Sequence, residues 1–268
     1  MKRAVMAVVS VVAMLVVAGA PLTRPVHAAM MMGSLRLLAP RPGTVVTGDT
    51  FAVKIAVRGV RLDCAWAGKA NREGLGHWHL LLDGALVNMY CGTGAALSLQ
   101  NVPPGKHTLM AVLAANNHME MMSKGQMAKT SFVYQPAEAL PMLKPYQESA
   151  KPTISILAPT AGATVGEHFA VVLAWTNFRP SCDLFGKKSL KGYGHWHLNI
   201  DTMMGPMMGM GTMLLMGCTH SATVFTEGLR PGRHKLFALL TDDQHAPLMP
   251  EVATSVTITV KPGAMGPM

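Results

Sequence analysis

Gly76-His77-Trp78-His79-Leu80 and Gly194-His195-Trp196-His197-Leu198 are the same five residues, written twice in one chain. The likeness spreads outward from them. His107 follows Pro104-Gly105-Lys106, and His234 follows Pro231-Gly232-Arg233. His118 comes eleven residues after His107, and His245 eleven after His234. Cys64 and Cys91 flank the first His-Trp-His, and Cys182 and Cys218 flank the second. A self-match of this length predicts two copies of one module, because each copy must repeat the apolar positions that build its core.

The repeated stretch also sets the secondary structure. In a strand, residues i and i+2 share a face. His77, His79, Leu81 and Asp83 then point one way, and Trp78, Leu80 and Leu82 the other. The second set makes a core face anchored by Trp78, which leaves the two imidazoles on the outer face or at a domain edge. Further strands are expected at 34–38, 51–57, 97–102, 107–114 and 130–134. The second copy repeats them at 153–157, 169–176, 195–201, 223–229, 234–241 and 255–260. Short strands at roughly ten-residue spacing, parted by Gly and Pro turns, predict an all-β protein of two tandem immunoglobulin-like antiparallel β-sandwich domains. A β-barrel satisfies the same spacing.

The modules are expected at 34–134 and 153–260. A Pro-rich linker at 135–152 carries Pro136, Pro141, Pro145 and Pro152, a spacing that resists helix and sheet alike. Residues 261–268 read as a disordered tail. At the other end, Lys2 and Arg3, an apolar run, and the small-x-small site Val26-His27-Ala28 predict a signal peptide over 1–28. A Met-rich start at 29–33 would follow it. Nothing later in the chain is apolar enough over a long enough run to cross a membrane as a helix. The expected location is therefore periplasmic or secreted. In such an oxidising compartment the paired Cys predict the disulfides Cys64–Cys91 and Cys182–Cys218, with thiolate metal ligation as the rival. Each closure would contribute about 3–4 kcal/mol on the chain-entropy model.

The formal charge of +9 is moderate and includes Lys2, Arg3 and Arg24 of the leader. No basic stripe interleaved with aromatics marks a nucleic-acid surface. An envelope protein or a metal ion is a better-fitting partner.

The combined pattern is more specific than its pieces. It reads Gly76-His77-Trp78-His79-Leu80-Leu81-Leu82-Asp83, then Pro104-Gly105-Lys106-His107-Thr108-Leu109, then His118. The second copy reads Gly194-His195-Trp196-His197-Leu198-Asn199-Ile200-Asp201, then Pro231-Gly232-Arg233-His234-Lys235-Leu236, then His245. Both resemble a family of small exported bacterial β-sandwich domains with no assigned activity. The resemblance covers the core of each module and implies an exported sandwich, with no particular reaction. The chain departs from that pattern in its two copies, its two Cys pairs and its Met content.

In an immunoglobulin-like order the His-Trp-His strand is third and the Pro-Gly-x-His strand sixth, and the two pair antiparallel. The residue just past the end of one then meets the beginning of the other. This predicts two three-histidine clusters, His77/His79/His118 and His195/His197/His245, as metal ligands. It predicts separate structural pairs, His107 with Asp83 and His234 with Asp201, in which the carboxylate orients the ring. Three imidazoles suit zinc or copper, and thioethers shift the preference to copper. Many of the 23 Met crowd Gly-rich or polar stretches that lack a strand period. Met119, Met121, Met122, Met207, Met208 and Met210, with His220, are additional candidate ligands. An oxidation sink, or no special role, is the competing account of these Met.

No Gly-x-Ser-x-Gly, phosphate-binding loop, dinucleotide fingerprint or His-Glu-x-x-His is present. Acidic residues number only 14. The expected function is therefore a non-catalytic exported metal-binding protein, with copper ahead of zinc. The alternatives are a metal-free structural or adhesive envelope protein and, further off, a copper-dependent oxidoreductase.

Overall fold

The computed structural model describes residues 33–146, 150–204 and 207–262. The leader expected at 1–28, Met30 to Met32, and most of the expected tail lie outside these residues. Among the described residues no helix is long and apolar enough to cross a membrane.

The chain is all-β. The first half runs β1 (Ser34–Ala39), β2 (Thr44–Val46), β3 (Thr50–Arg58), β4 (Arg61–Leu62), β5 (Leu75–Leu82), β6 (Ala85–Tyr90), β7 (Gly94–Ser98), β8 (Gly105–Ala114) and β9 (Met127–Tyr134). The second runs β10 (Thr153–Ala158), β11 (Thr164–Val165), β12 (His168–Thr176), β13 (Arg179–Pro180), β14 (Tyr193–Ile200), β15 (Met213–Gly217), β16 (Ser221–Phe225), β17 (Gly232–Thr241) and β18 (Ala253–Val260). A small sheet β1-β3-β7 faces a large sheet β2-β9-β8-β5-β4, with β6 also on β5. The second half repeats this as β10-β12-β16 and β11-β18-β17-β14-β13, with β15 on β14. Each half is a sandwich of immunoglobulin-like type. The edge pairs β2–β9, β4–β5, β11–β18 and β13–β14 are parallel, so the sheets are not wholly antiparallel.

Alternation builds each core. On β3, Val53 and Ile55 are buried, with Phe51 and Val57 packed beside them. They meet Trp78, Leu80 and Leu82 from β5 and Leu109, Ala111 and Leu113 from β8. Trp78 is fully buried, stacks on Tyr90 at 4.9 Å between centroids, and donates its indole N–H to Gly92 O at 2.7 Å. Trp196 is likewise buried in the second core and donates to Thr219 O at 2.9 Å. Each such side chain contributes about 1.5–3 kcal/mol by leaving water. Both expected disulfides form and staple the segment before the His-Trp-His strand to the segment after the next strand.

Three expectations shift. The strands expected at 97–102 and 223–229 stop early, at Ser98 and Phe225. The apolar run misleads because Leu99, Val102 and Leu229 still point into the cores from turns. The strand β6 was not anticipated, although Asp83-Gly84 is a hairpin signal: both residues have positive φ, 50° and 91°, as a type I′ turn demands. The segment 135–146 forms neither helix nor strand, yet it is strapped down rather than a free spacer. Leu143 N donates to Asn101 Oδ1 at 2.8 Å, and Tyr146 N to Lys191 O at 2.9 Å, so it bonds to both halves.

The two large sheets pack against each other. Phe185 of the second half belongs to the core cluster of the first. The Lys69 ammonium crosses the seam to Phe225 O and Glu227 O, each at 2.6 Å. The strands β5 and β14 are buried along their whole length, on both faces.

Truncating Trp78 to Ala should cost about 3–5 kcal/mol, because it empties the centre of the first core. Urea unfolding of the variant against the parent chain measures it.

Candidate metal centre

The antiparallel register of β5 and β8 sets His77 opposite Ala114, and β14 with β17 sets His195 opposite Thr241. The chain leaves β8 and β17 by a tight turn that carries the third histidine back over the strand. His118 N donates to Ala115 O at 2.8 Å, and His245 N to Asp242 O at 3.2 Å. Both histidines have positive φ, 62° and 68°. Only a few per cent of non-glycine residues do this, with His among the more tolerant types, and such conformations collect at functional positions.

The result is two compact clusters. His77 Nε2 lies 3.1 Å from His79 Nε2 and 3.1 Å from His118 Nδ1, and the remaining edge is 3.5 Å. In the second cluster the edges from His195 Nε2 to His197 Nε2 and to His245 Nδ1 are 2.9 and 2.8 Å, and the third is 3.3 Å. A tetrahedral metal with imidazole bonds of about 2.0–2.1 Å holds its nitrogens roughly 3.3 Å apart. Both triangles are near that size.

Hydrogen bonds on the far side of the rings aim the lone pairs. His118 Nε2–H donates to Met213 O at 2.8 Å, so its Nδ1 faces the cluster unprotonated. His245 Nε2–H donates to Leu86 O at 2.9 Å, with the same consequence. Each bond reaches into the other half of the molecule. The glycines Gly68 and Gly186 let those carbonyls approach, since a Cβ on either would overlap Met213 O or Leu86 O. His79 Nδ1–H donates to Glu120 Oε1 at 2.9 Å, which leaves its Nε2 as a lone pair too. His77 Nδ1 and His195 Nδ1 are buried without a hydrogen-bond partner.

The rings lie on the outer face of the large sheets, as expected, but that face is covered by the other half and they are buried. Burial is the first cause of their electrostatics. It holds His77 well below the ordinary imidazole value, with His118 and His79 adding to the effect. Burial and His79 push His118 down to about 3 against the Met213 hydrogen bond. His195 and His197 are lowered in the same way, His197 by burial, then His245, then His118 from across the seam. His245 falls to about 4, chiefly by burial, offset by its bond to Leu86 O. The two clusters are therefore near neighbours, and burial favours the uncharged form of His77, His118, His195, His197 and His245.

The remaining candidates sit elsewhere. His107 Nδ1 meets Asp83 Oδ2 at 2.7 Å and its Nε2 meets Pro103 O at 2.8 Å. His234 repeats this with Asp201 Oδ2 at 2.8 Å and Arg230 O at 2.7 Å. Asp83 Oδ1 and Asp201 Oδ1 also accept backbone N–H groups, so both pairs pin a hairpin to the neighbouring strand. His220 stacks on Trp175 at 3.9 Å and bonds to Leu173 O, away from either triad. Met119 and Met122 are exposed on the loop that carries His118, and Met121 packs on the first core. Met207 and Met208 open a 3₁₀ turn, Met207–Thr212, and Met210 in that turn is buried. Met213, just past that turn, starts β15 and is fully buried. Sequence reasoning missed Glu120, Gly68, Gly186 and the Met213 and Leu86 carbonyls. Only Glu120 had a visible signal, as the acid two residues past His118.

Fold and site together define a two-sandwich protein with paired, buried three-histidine clusters. No protein-family model and no curated protein matches the chain. Among solved structures, it is similar to the fibronectin(III)-like modules of Clostridium thermocellum CbhA, at 12% identity and a TM-score of 0.26, over 85% of this chain and 94% of that one. It is similar to CopC from Methylosinus trichosporium OB3b at 14% identity and a TM-score of 0.24, over 40% of this chain and 98% of that one. The N-terminal four Ig domains of Dscam1 match at 9% identity and 0.23, over 85% and 45%. At such scores these likenesses carry no argument, and the fold class rests on the strands themselves.

An unfolded chain protonates its imidazoles near pH 6.5, whereas folded His245 and His118 resist until about 4 and 3. The folded state binds fewer protons, so its stability is full above pH 6.5 and falls as the pH drops towards 4 and below. Metal-free protein should lose on the order of a few kcal/mol between pH 7.5 and 4. Urea midpoints across that range test this, and a flat profile contradicts it.

Proposed function

We propose that this is an exported, non-catalytic metal-binding protein that holds one ion in each triad, His77/His79/His118 and His195/His197/His245. The observation that carries the proposal is the convergence of three ring nitrogens in each half at metal-ligand spacing. Uncharged, desolvated imidazole is the form that ligates. In the first triad two lone pairs, on His79 and His118, already face each other, and His77 can donate to only one of them. A cation would satisfy both of them at once, together with His77 Nε2 when that ring carries its proton on Nδ1.

Three protein ligands leave a fourth position free, but the burial of the rings closes it to bulk substrate, which suits holding an ion rather than turnover. Imidazole serves copper and zinc alike. The exposed thioethers of Met119 and Met122, on the loop that carries His118 and Glu120, are soft donors that favour copper, for storage or delivery. The two disulfides fit an oxidising compartment, periplasmic or extracellular.

Loading the metal-free chain with Cu(I), Cu(II) or Zn(II), desalting, and measuring metal by elemental analysis should give two ions per chain. H77A/H79A/H118A should retain one, and the variant lacking both triads none. The loaded chain should gain about 2.7 kcal/mol of stability at a free-metal excess of a hundred times the dissociation constant. A parent chain that retains no metal and keeps its melting temperature overturns the proposal.

A further inference from the structure

The triads look alike at their ligating atoms and differ just behind them. The bridge Ala114–Glu120 in the first half corresponds to Thr241–Pro247 in the second. Glu120 therefore stands where the second half has Pro247, whose side chain offers no acceptor. In the first triad Glu120 Oε1 accepts from His79 Nδ1 at 2.9 Å. A carboxylate behind a ligating imidazole fixes the tautomer, orients the ring and makes its other nitrogen a stronger donor.

Other carboxylates near the second triad do not replace it. Asp242 Oδ1 accepts from Gln244 N and Ala246 N, and its Oδ2 from Ser189 Oγ. Asp243 Oδ2 accepts from Leu190 N. Neither is bonded to a ring nitrogen of the cluster. The second triad has Phe185 instead, with its ring centroid 4.4 Å from His195 and 5.9 Å from His245. The first half has Ala67 at the matching position after its Cys64–Trp66 turn. One triad is backed by an anion and the other is packed against an apolar ring.

We propose that the two triads are unequal sites: Glu120, as a positioning residue, makes His77/His79/His118 the tighter site that fills first, while His195/His197/His245 fills second and releases first. This rests on the metal binding proposed above. Loss of such a carboxylate partner lowers metal affinity about 10–100-fold, and that range is the expected gap between the sites.

Zn(II) titrated into the metal-free chain, in competition with a chromophoric chelator, tests it. The expected result is two one-ion steps separated by about 10–100-fold. H77A/H79A should remove the tighter step and H195A/H197A the weaker. E120Q should weaken the tighter step until the two merge, with the melting temperature of the metal-free variant unchanged. P247E should tighten the weaker step, a gain that a merely structural role for Glu120 does not produce. Two equal steps in the parent chain, a tighter second triad, or E120Q and P247E without effect overturn the inference and leave metal binding standing. No Zn(II) bound at all overturns the inference, and no copper retained either overturns the metal reading itself.

Discussion

Five buried imidazoles, His77, His118, His195, His197 and His245, are held uncharged where the two sandwiches touch. They lie on the outer faces of β5 and β14 and on the turns beyond β8 and β17, where the large sheets meet. A charged ring there would lose its hydration and face like charges at about 3 Å, with neither cost offset by a counter-ion at His77 or His195. The seam is built to neutral imidazole, and neutral imidazole is a ligand. The packing of the molecule and the chemistry of its site thus depend on one protonation state.

The same seam orients the rings. His118 is aimed by a carbonyl of β15, and His245 by a carbonyl of β6, so each half completes the other's cluster. Gly68 and Gly186 are needed because those carbonyls come closer than a side chain allows. Left-handed backbone at His118 and His245 fits the same design: the chain turns sharply after its longest strand and presents the ring over the sheet. Such strain persists when the surroundings over-determine it, here through the ring's bond across the seam.

Much of this was legible beforehand. Alternation around Trp78 and Trp196 announced strands with one core face, and the antiparallel pairing of distant His segments followed from a sandwich order. The pairs His107–Asp83 and His234–Asp201 meet because each Asp sits at the hairpin end where the neighbouring strand begins. The seam was not legible. An outer face that carries His77, His79 and Leu81 reads as half-polar and exposed until a partner surface is known. The Met-rich stretch misled for a related reason. Its Gly and Pro hide the strand start at Met213, and its burial depends on contacts made by the fold. Glu120 was passed over because a lone acid in a loop acquires meaning only when His79 is seen to reach it.

Placement between two modules also constrains how an ion held there would exchange. The rings are covered on one side by their own sheet and on the other by the second sandwich, so release needs the seam to part or the loop bearing His118 to move. Lys69 and Phe185 cross the seam, and the strapped segment 135–146 limits how far the halves can separate. The disulfides do not oppose opening, because each closes within one half. The loop of His118 is the more exposed element: it carries exposed Met119 and Met122 and the partly buried Glu120, the one carboxylate among the described residues that is bonded to a triad ring. An ion leaving the first triad by that loop would pass from imidazole to carboxylate or thioether without crossing the apolar seam. The second triad has no such acid, and Pro247 stiffens the corresponding turn. Affinity sets the order in which the sites would fill and empty, the loop sets only the path an ion would take, and both trace to the single position occupied by Glu120 in one half and Pro247 in the other.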